Sequence, residues 1–147
     1  MRSKSYTFKQ FLKHCPQEIE NHYTDKSNII RKEDDELVDL VAWFKFNYPQ
    51  HCNSILHPAN ESMATHGGHR KNLAQKGMLK GAPDIMIMIP KGGYGFATFE
   101  LKRGDHQSSV GQEQIDIALA NILNGGYSCI CWGLDAAKCS ISNYMSK

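Results

Sequence analysis

The sequence predicts an α/β fold, a mixed sheet of about four strands flanked by helices. Three observations carry that prediction. From Glu33 to Tyr48, Leu37, Leu40, Val41 and Phe44 recur at helical spacing. From Ile85 to Lys102, two strand-like runs are joined by Lys91-Gly92-Gly93. From Gly111 to Asn124 a helical pattern returns, stopped by Gly125-Gly126, with a strand-like run from Tyr127 to Trp132 behind it.

Residues 1–30 are polar and weakly periodic. Phe8, Phe11 and Leu12 have helical spacing before Pro16, so a short helix and an irregular lead-in are expected there. We treat 1–30 as an N-terminal extension and 31–147 as the principal domain. In the Glu33–Tyr48 helix, the acids Glu33, Asp34, Asp35 and Glu36 fall in the first turn, where the helix dipole favours them. Pro49 closes that helix. A short strand is expected at 54–57, and a short helix from His69 to Lys76, ended by Gly77. Ile85 to Ile89 is unbroken and apolar, as in a strand covered on both faces. The last dozen residues are expected to be peripheral.

The chain has 147 residues, enough for one domain with its own core. No apolar run approaches the roughly 18 residues of a membrane span, and no apolar segment follows the basic N-terminus as in a secretory signal. The five cysteines include no C-x-x-C pair, which fits reduced thiols in a cytoplasmic protein. Cys129 and Cys131 read as small buried hydrophobes, Trp43 and Trp132 as packing residues, and 104–107 as a loop. The net charge of +2 decides nothing about partners by itself. The positive charge is locally one-sided, however: Arg70, Lys71, Lys76 and Lys80 lie in a stretch without an acid.

Polar residues at the strand ends carry the candidate chemistry. Asp84 follows Pro83 at the entry to the first apolar strand. In Phe99-Glu100-Leu101-Lys102, strand alternation points Glu100 and Lys102 to one face and Leu101 to the other. If the two strands form a hairpin, Asp84 comes beside Glu100. Two carboxylates and a lysine facing one point meet the needs of metal-assisted phosphodiester hydrolysis. The acids hold a hard cation such as Mg²⁺, and the lysine orients water or stabilises developing charge. Taken singly, each of these residues reads as part of a structural ion pair.

The set Pro83-Asp84 and Glu100-Leu101-Lys102 resembles the PD-(D/E)XK nuclease signature. The region from Glu33 to Leu134 more narrowly resembles the VRR-Nuc branch, in its compact, stand-alone, phage or bacterial form. The matching pieces are Tyr48-Pro49, His57-Pro58-Ala59-Asn60, Gly81-Ala82-Pro83-Asp84, Glu100-Leu101-Lys102, Gln112-Glu113-Gln114 and Gly126-Tyr127. The resemblance implies a restriction-endonuclease-like core, dependence on Mg²⁺ or Mn²⁺, DNA cleavage and a homodimer. It implies Asp84 and Glu100 as metal ligands, with the Leu101 carbonyl as a third. Lys102 would position the water, and Gln114 would contact water or phosphate. Glu33, or alternatively Glu36, would be the helix acid; Leu37 stands where many relatives carry a glutamine. Asn60 would lie beside the site, and Arg70, Lys71, Lys76 and Lys80 would contact the DNA backbone, with Gly77 and Gly81 allowing close approach. The preferred DNA is left open among junctions, flaps, nicked duplex and single strands.

Two rival readings stand beside this one. The chain is a DNA-binding subunit that keeps the nuclease fold without catalysis, or a zinc-binding interaction domain built on His66 and His69. His106 is read as a loop histidine within possible reach of phosphate.

Overall fold

The computed structural model describes residues 3–58 and 67–147; side chains of residues 67–70 are outside that description. Asn60, His66 and the side chains of His69 and Arg70, all singled out by sequence, therefore lie outside the described residues.

In chain order the elements are β1 (Ser5–Thr7), α1 (Phe8–His14), β2 (Glu20–Tyr23), α2 (Glu33–Asn47), a 3-10 turn (Pro49–His51), β3 (Ile55–Leu56), α3 (Gly67–Gln75), β4 (Ile85–Ile87), β5 (Phe96–Lys102), β6 (Ser109–Gly111), α4 (Gln112–Leu123), β7 (Gly126–Trp132) and α5 (Leu134–Met145). The main sheet has the order β2-β7-β5-β4-β3, and β1 pairs with β6 in a separate two-stranded ribbon. β5 and β7 are parallel, as are β2 and β7, while β4 is antiparallel to both β3 and β5. The sheet is mixed, as expected, but five-stranded rather than four-stranded. The added strand is β2, whose sequence Glu20-Asn21-His22-Tyr23 has no apolar alternation to announce it.

The hairpin forms as its sequence demands. Gly92 and Gly93 both take positive φ, and Lys91 and Tyr94 exchange both backbone hydrogen bonds across the turn. Such a turn matches strand twist and is open to glycine at little cost.

Strand alternation divides the core in two. On one face, Ile85, Ile87, Phe99, Leu101, Cys129 and Cys131 pack against Leu40 and Phe44 of α2 and against Ile141 and Tyr144 of α5. On the other, Ile130 and Trp132 pack against Phe11, Val110, Ile115 and Ala118. The C-terminal residues are thus not peripheral. Ile141 and Tyr144 have no exposed surface, and the Tyr144 hydroxyl donates to the Ile89 carbonyl at 2.6 Å. Residues 1–30, set apart on sequence, supply β1, α1 and an edge strand of the main sheet. Among the described residues, no helix is long and apolar enough to cross a membrane.

Candidate active site

The register of β4 on β5 builds the site. Ile85 lies opposite Phe99; one residue further, Asp84 is across from Glu100. Opposite residues in an antiparallel pair share a face, so both carboxylates lie on the α4 side of the sheet, with Lys102 two residues along β5. Asp84 Oδ2 accepts a hydrogen bond from the Leu101 backbone N–H at 2.8 Å. Its own carbonyl accepts from His57 Nδ1 at 2.6 Å, which fixes the proton of that ring on Nδ1. Lys102 Nζ is 2.9 Å from Glu100 Oε1, and only 7% of either side chain is exposed.

Gln114 completes the group from the start of α4. Its Nε2 donates to Glu100 Oε1, and its Oε1 accepts from the Gly111 N–H at 2.9 Å. The second bond satisfies one of the free N–H groups at the helix start, so one side chain both caps α4 and holds Glu100. The loop before Asp84 reaches the same helix end through Gly81, which has φ +86° and approaches Glu113 and Gln114 so closely that a Cβ would lie 2.8 Å from backbone. The close approach that Gly81 permits in the structure is to α4.

The electrostatics follow from this crowding. Burial pushes the Glu100 carboxyl up to about 8; the charges of Asp84 and Glu33 push the same way, against Lys102. Asp84 is also raised, first by burial, with the Leu101 N–H and Lys102 opposing and Glu33 adding to the rise. Both acids therefore lie where more positive charge would lower their energy.

Glu33 and Glu36 separate clearly. Glu33 opens α2, accepts from the Ser108 hydroxyl at 2.5 Å, and bears electrostatically on both Asp84 and Glu100. Glu36 is buried one turn on, facing the Leu134 N–H at the start of α5; burial raises its carboxyl, and its Oε2 has no hydrogen-bond partner among the described residues. The structure thus brings Asp84, Glu100, Lys102 and Gln114 together and places Glu33 at their margin. Lys71 and Lys76 are exposed on and after α3. Lys80 is committed to an ion pair with Glu113 at 2.7 Å, which, with the Ser3 hydroxyl, holds Glu113 down at about 2.

Ser108 escaped sequence reasoning, and His57 entered it only as part of a matching segment, with no role of its own. Each touches a site carboxylate residue, yet a histidine after a short strand and a serine in a polar turn carry no signal by themselves. Asp105, read as part of a plain loop, is buried, pairs with Arg103 and accepts from the Gln107 N–H.

Among the described residues, no three His, Cys, Asp or Glu side chains converge as a closed metal cluster. A buried and a half-buried carboxylate with a lysine beside them instead suit a hard divalent cation that keeps several of its waters. A structural comparison gives the fold a solved counterpart. A solved structure described as a VRR_NUC domain protein superposes with a TM-score of 0.69, over 79% of this chain and 89% of that one, at 20% sequence identity. No protein-family model and no curated protein matches the sequence. The chain has the fold of that VRR_NUC domain protein: an α/β architecture with a mixed sheet between helices.

Proposed function

We propose that this protein is a metal-dependent endonuclease of the VRR-Nuc branch of the PD-(D/E)XK nucleases, hydrolysing DNA phosphodiester bonds. The observation that supports it best is the meeting of Asp84, Glu100 and Lys102 on one sheet face at the mouth of β4 and β5. Mg²⁺ or Mn²⁺ is the cofactor in this reading, held by Asp84, Glu100 and the Leu101 carbonyl; when bound it supplies Lewis acidity and an activated water. DNA is the substrate, and a homodimer the working form.

The chain's own residues have separate tasks in this reading. Asp84 and Glu100 present oxygen donors in a pocket where their charge is costly. His57 and the Leu101 N–H fix the main chain and side chain of Asp84. Gln114 holds Glu100 in place from the rigid start of α4. Lys102 neutralises Glu100 and brings an ammonium to where negative charge grows on the phosphate. Glu33, tied to Ser108, stands at the edge as an acceptor for water. Lys71 and Lys76, with Arg70 and Asn60, would contact phosphates, and Lys80 would join them on leaving Glu113.

The test is a cleavage assay on duplex, nicked duplex, single strand, flap and four-way junction, with Mg²⁺, Mn²⁺ or chelator. Cutting that needs a cation and is lost in Asp84→Asn and Glu100→Gln supports the assignment and reports the preferred structure. Equal cutting by wild type and both variants overturns it. Binding without cutting on every substrate moves the assignment to a DNA-binding subunit.

A further inference from the structure

Two grooves meet at Ser108, away from the α3 lysines. One, of about 670 Å³, lies along the start of α2 and is lined by Arg31, Lys32, Glu33 and Arg103. The other, of about 410 Å³, is lined by Thr7, Phe8, Lys9, Lys26, His106 and Gln107. Ser108 lines both and donates to Glu33, so the second groove borders the one that holds Glu33.

The second groove has a specific chemistry. It is lined by two lysines and no acid. Neither Lys9 nor Lys26 forms an ion pair among the described residues, whereas Arg31, Lys80 and Arg103 do. Its wall carries the Phe8 and His106 rings, stacked with centroids 3.8 Å apart; Phe8 also meets Trp132 and exposed Tyr23 edge-on, at 4.8 and 5.4 Å. His106 is held at φ +58°, the one non-glycine residue with positive φ among those described. That conformation costs on the order of 1 kcal/mol or more and persists where surroundings enforce it; here it accompanies the stacked ring. Unpaired lysines beside a ring platform suit a strand whose bases are free to stack and whose phosphates are free to pair. A duplex hides its bases and has no use for the rings.

We propose that the groove of Phe8, Lys9, Lys26 and His106 binds a single-stranded arm of DNA and leads it past Ser108 to Glu33 at the margin of the site. The proposal rests on the nuclease reading and adds a substrate class to it: DNA with an unpaired strand at the cleavage point.

The experiment is fluorescence anisotropy of labelled oligothymidylate and of a labelled duplex, in chelator, with wild type, Lys9→Glu/Lys26→Glu, Phe8→Leu, and the charge-matched control Lys45→Glu/Lys138→Glu. Circular dichroism checks that each variant is folded. The lysine variant should bind oligothymidylate at least ~10-fold more weakly, and its salt slope should fall by roughly 1.4, two phosphates at about 0.7 each. Phe8→Leu keeps apolar bulk but loses the ring face, and should weaken binding roughly 5- to 100-fold. The duplex should lose much less in both cases. The proposal is overturned by unchanged oligothymidylate binding in folded variants, by an equal loss in the control, or by an equal loss for duplex. Binding is read without a cation, so a chain that cuts nothing can still pass and a chain that cuts well can still fail.

Discussion

Lys102 and Glu100, two residues apart on one strand, form a buried ion pair at 2.9 Å in the centre of the candidate site. Neither partner can be removed innocently. Above pH 8, where Glu100 is ionised, Lys102→Ala leaves a buried carboxylate without its cation and should cost about 3–5 kcal/mol. Lys102→Met combined with Glu100→Gln removes both charges and should lie much closer to wild type. Urea unfolding of the two variants checks this; equal stability would mean that the pair is solvated in solution. Activity tests are therefore better made with Gln and Met than with Ala.

Stability should fall as pH rises in cation-free protein. Burial lifts Glu100 from 4.5 to about 8. A carboxyl raised on folding stabilises the fold below its unfolded value, and that contribution is lost as pH climbs through the folded value. The window is thus about pH 4.5 to 8, and the loss is on the order of 3–5 kcal/mol. Tm should decline across it in wild type and decline less in Glu100→Gln. Added Mg²⁺ should restore wild-type Tm near pH 8 and do little for the variant. A wild-type Tm that is flat over this range would show that Glu100 is not strained.

Gln114 has two bonds with different purposes, and two substitutions separate them. Gln114→Ala loses the acceptor for the Gly111 N–H and should destabilise by about 1–2 kcal/mol, as lost helix caps do. Gln114→Glu keeps that acceptor but replaces the donor to Glu100 with a like charge. It should fold nearly as well at acidic pH and raise the pH at which cleavage appears. A pH–rate profile identical to wild type would leave Gln114 a helix cap alone.

Gly81→Ala should destabilise by roughly 2 kcal/mol or more, because the new Cβ meets the α4 backbone at 2.8 Å and the positive φ disfavours it. Thermal unfolding measures it. A shift smaller than that of Gly77→Ala, which has positive φ but open space, would mean that the loop does not rest on α4.

The elements legible in the sequence were those with a strong period or a hard stop. The α2 stripe, the Ile85 run, the Gly92-Gly93 turn and the Gly125 stop all correspond to observed structure within a few residues. Asp84, Glu100 and Lys102 could be brought together on paper because strand alternation and a two-residue turn fix where side chains point. The missed parts depend on distant partners. β1, β2 and β6 are three or four residues long, and their pairing, not their composition, makes them strands. The helix from Leu134 looked like a tail, since Ala136, Ala137 and Ser140 bury small surfaces that hydropathy underrates. Whether Glu33 or Glu36 faced the site needed the packing of α2, for one helical turn carries both.

The strand β2 has a consequence for how the chain is made. Glu20 pairs beside Cys129, and Ser5 beside Gly111; both partnerships join segments roughly a hundred residues apart, and such non-local pairings form slowly. During synthesis the first segment must wait until β6 and β7 have left the ribosome. Until it docks, the border of β7 is open along its length and offers a template to other nascent chains. Shortening the N-terminus should therefore appear first as lost soluble yield in cells, before any defect in purified protein.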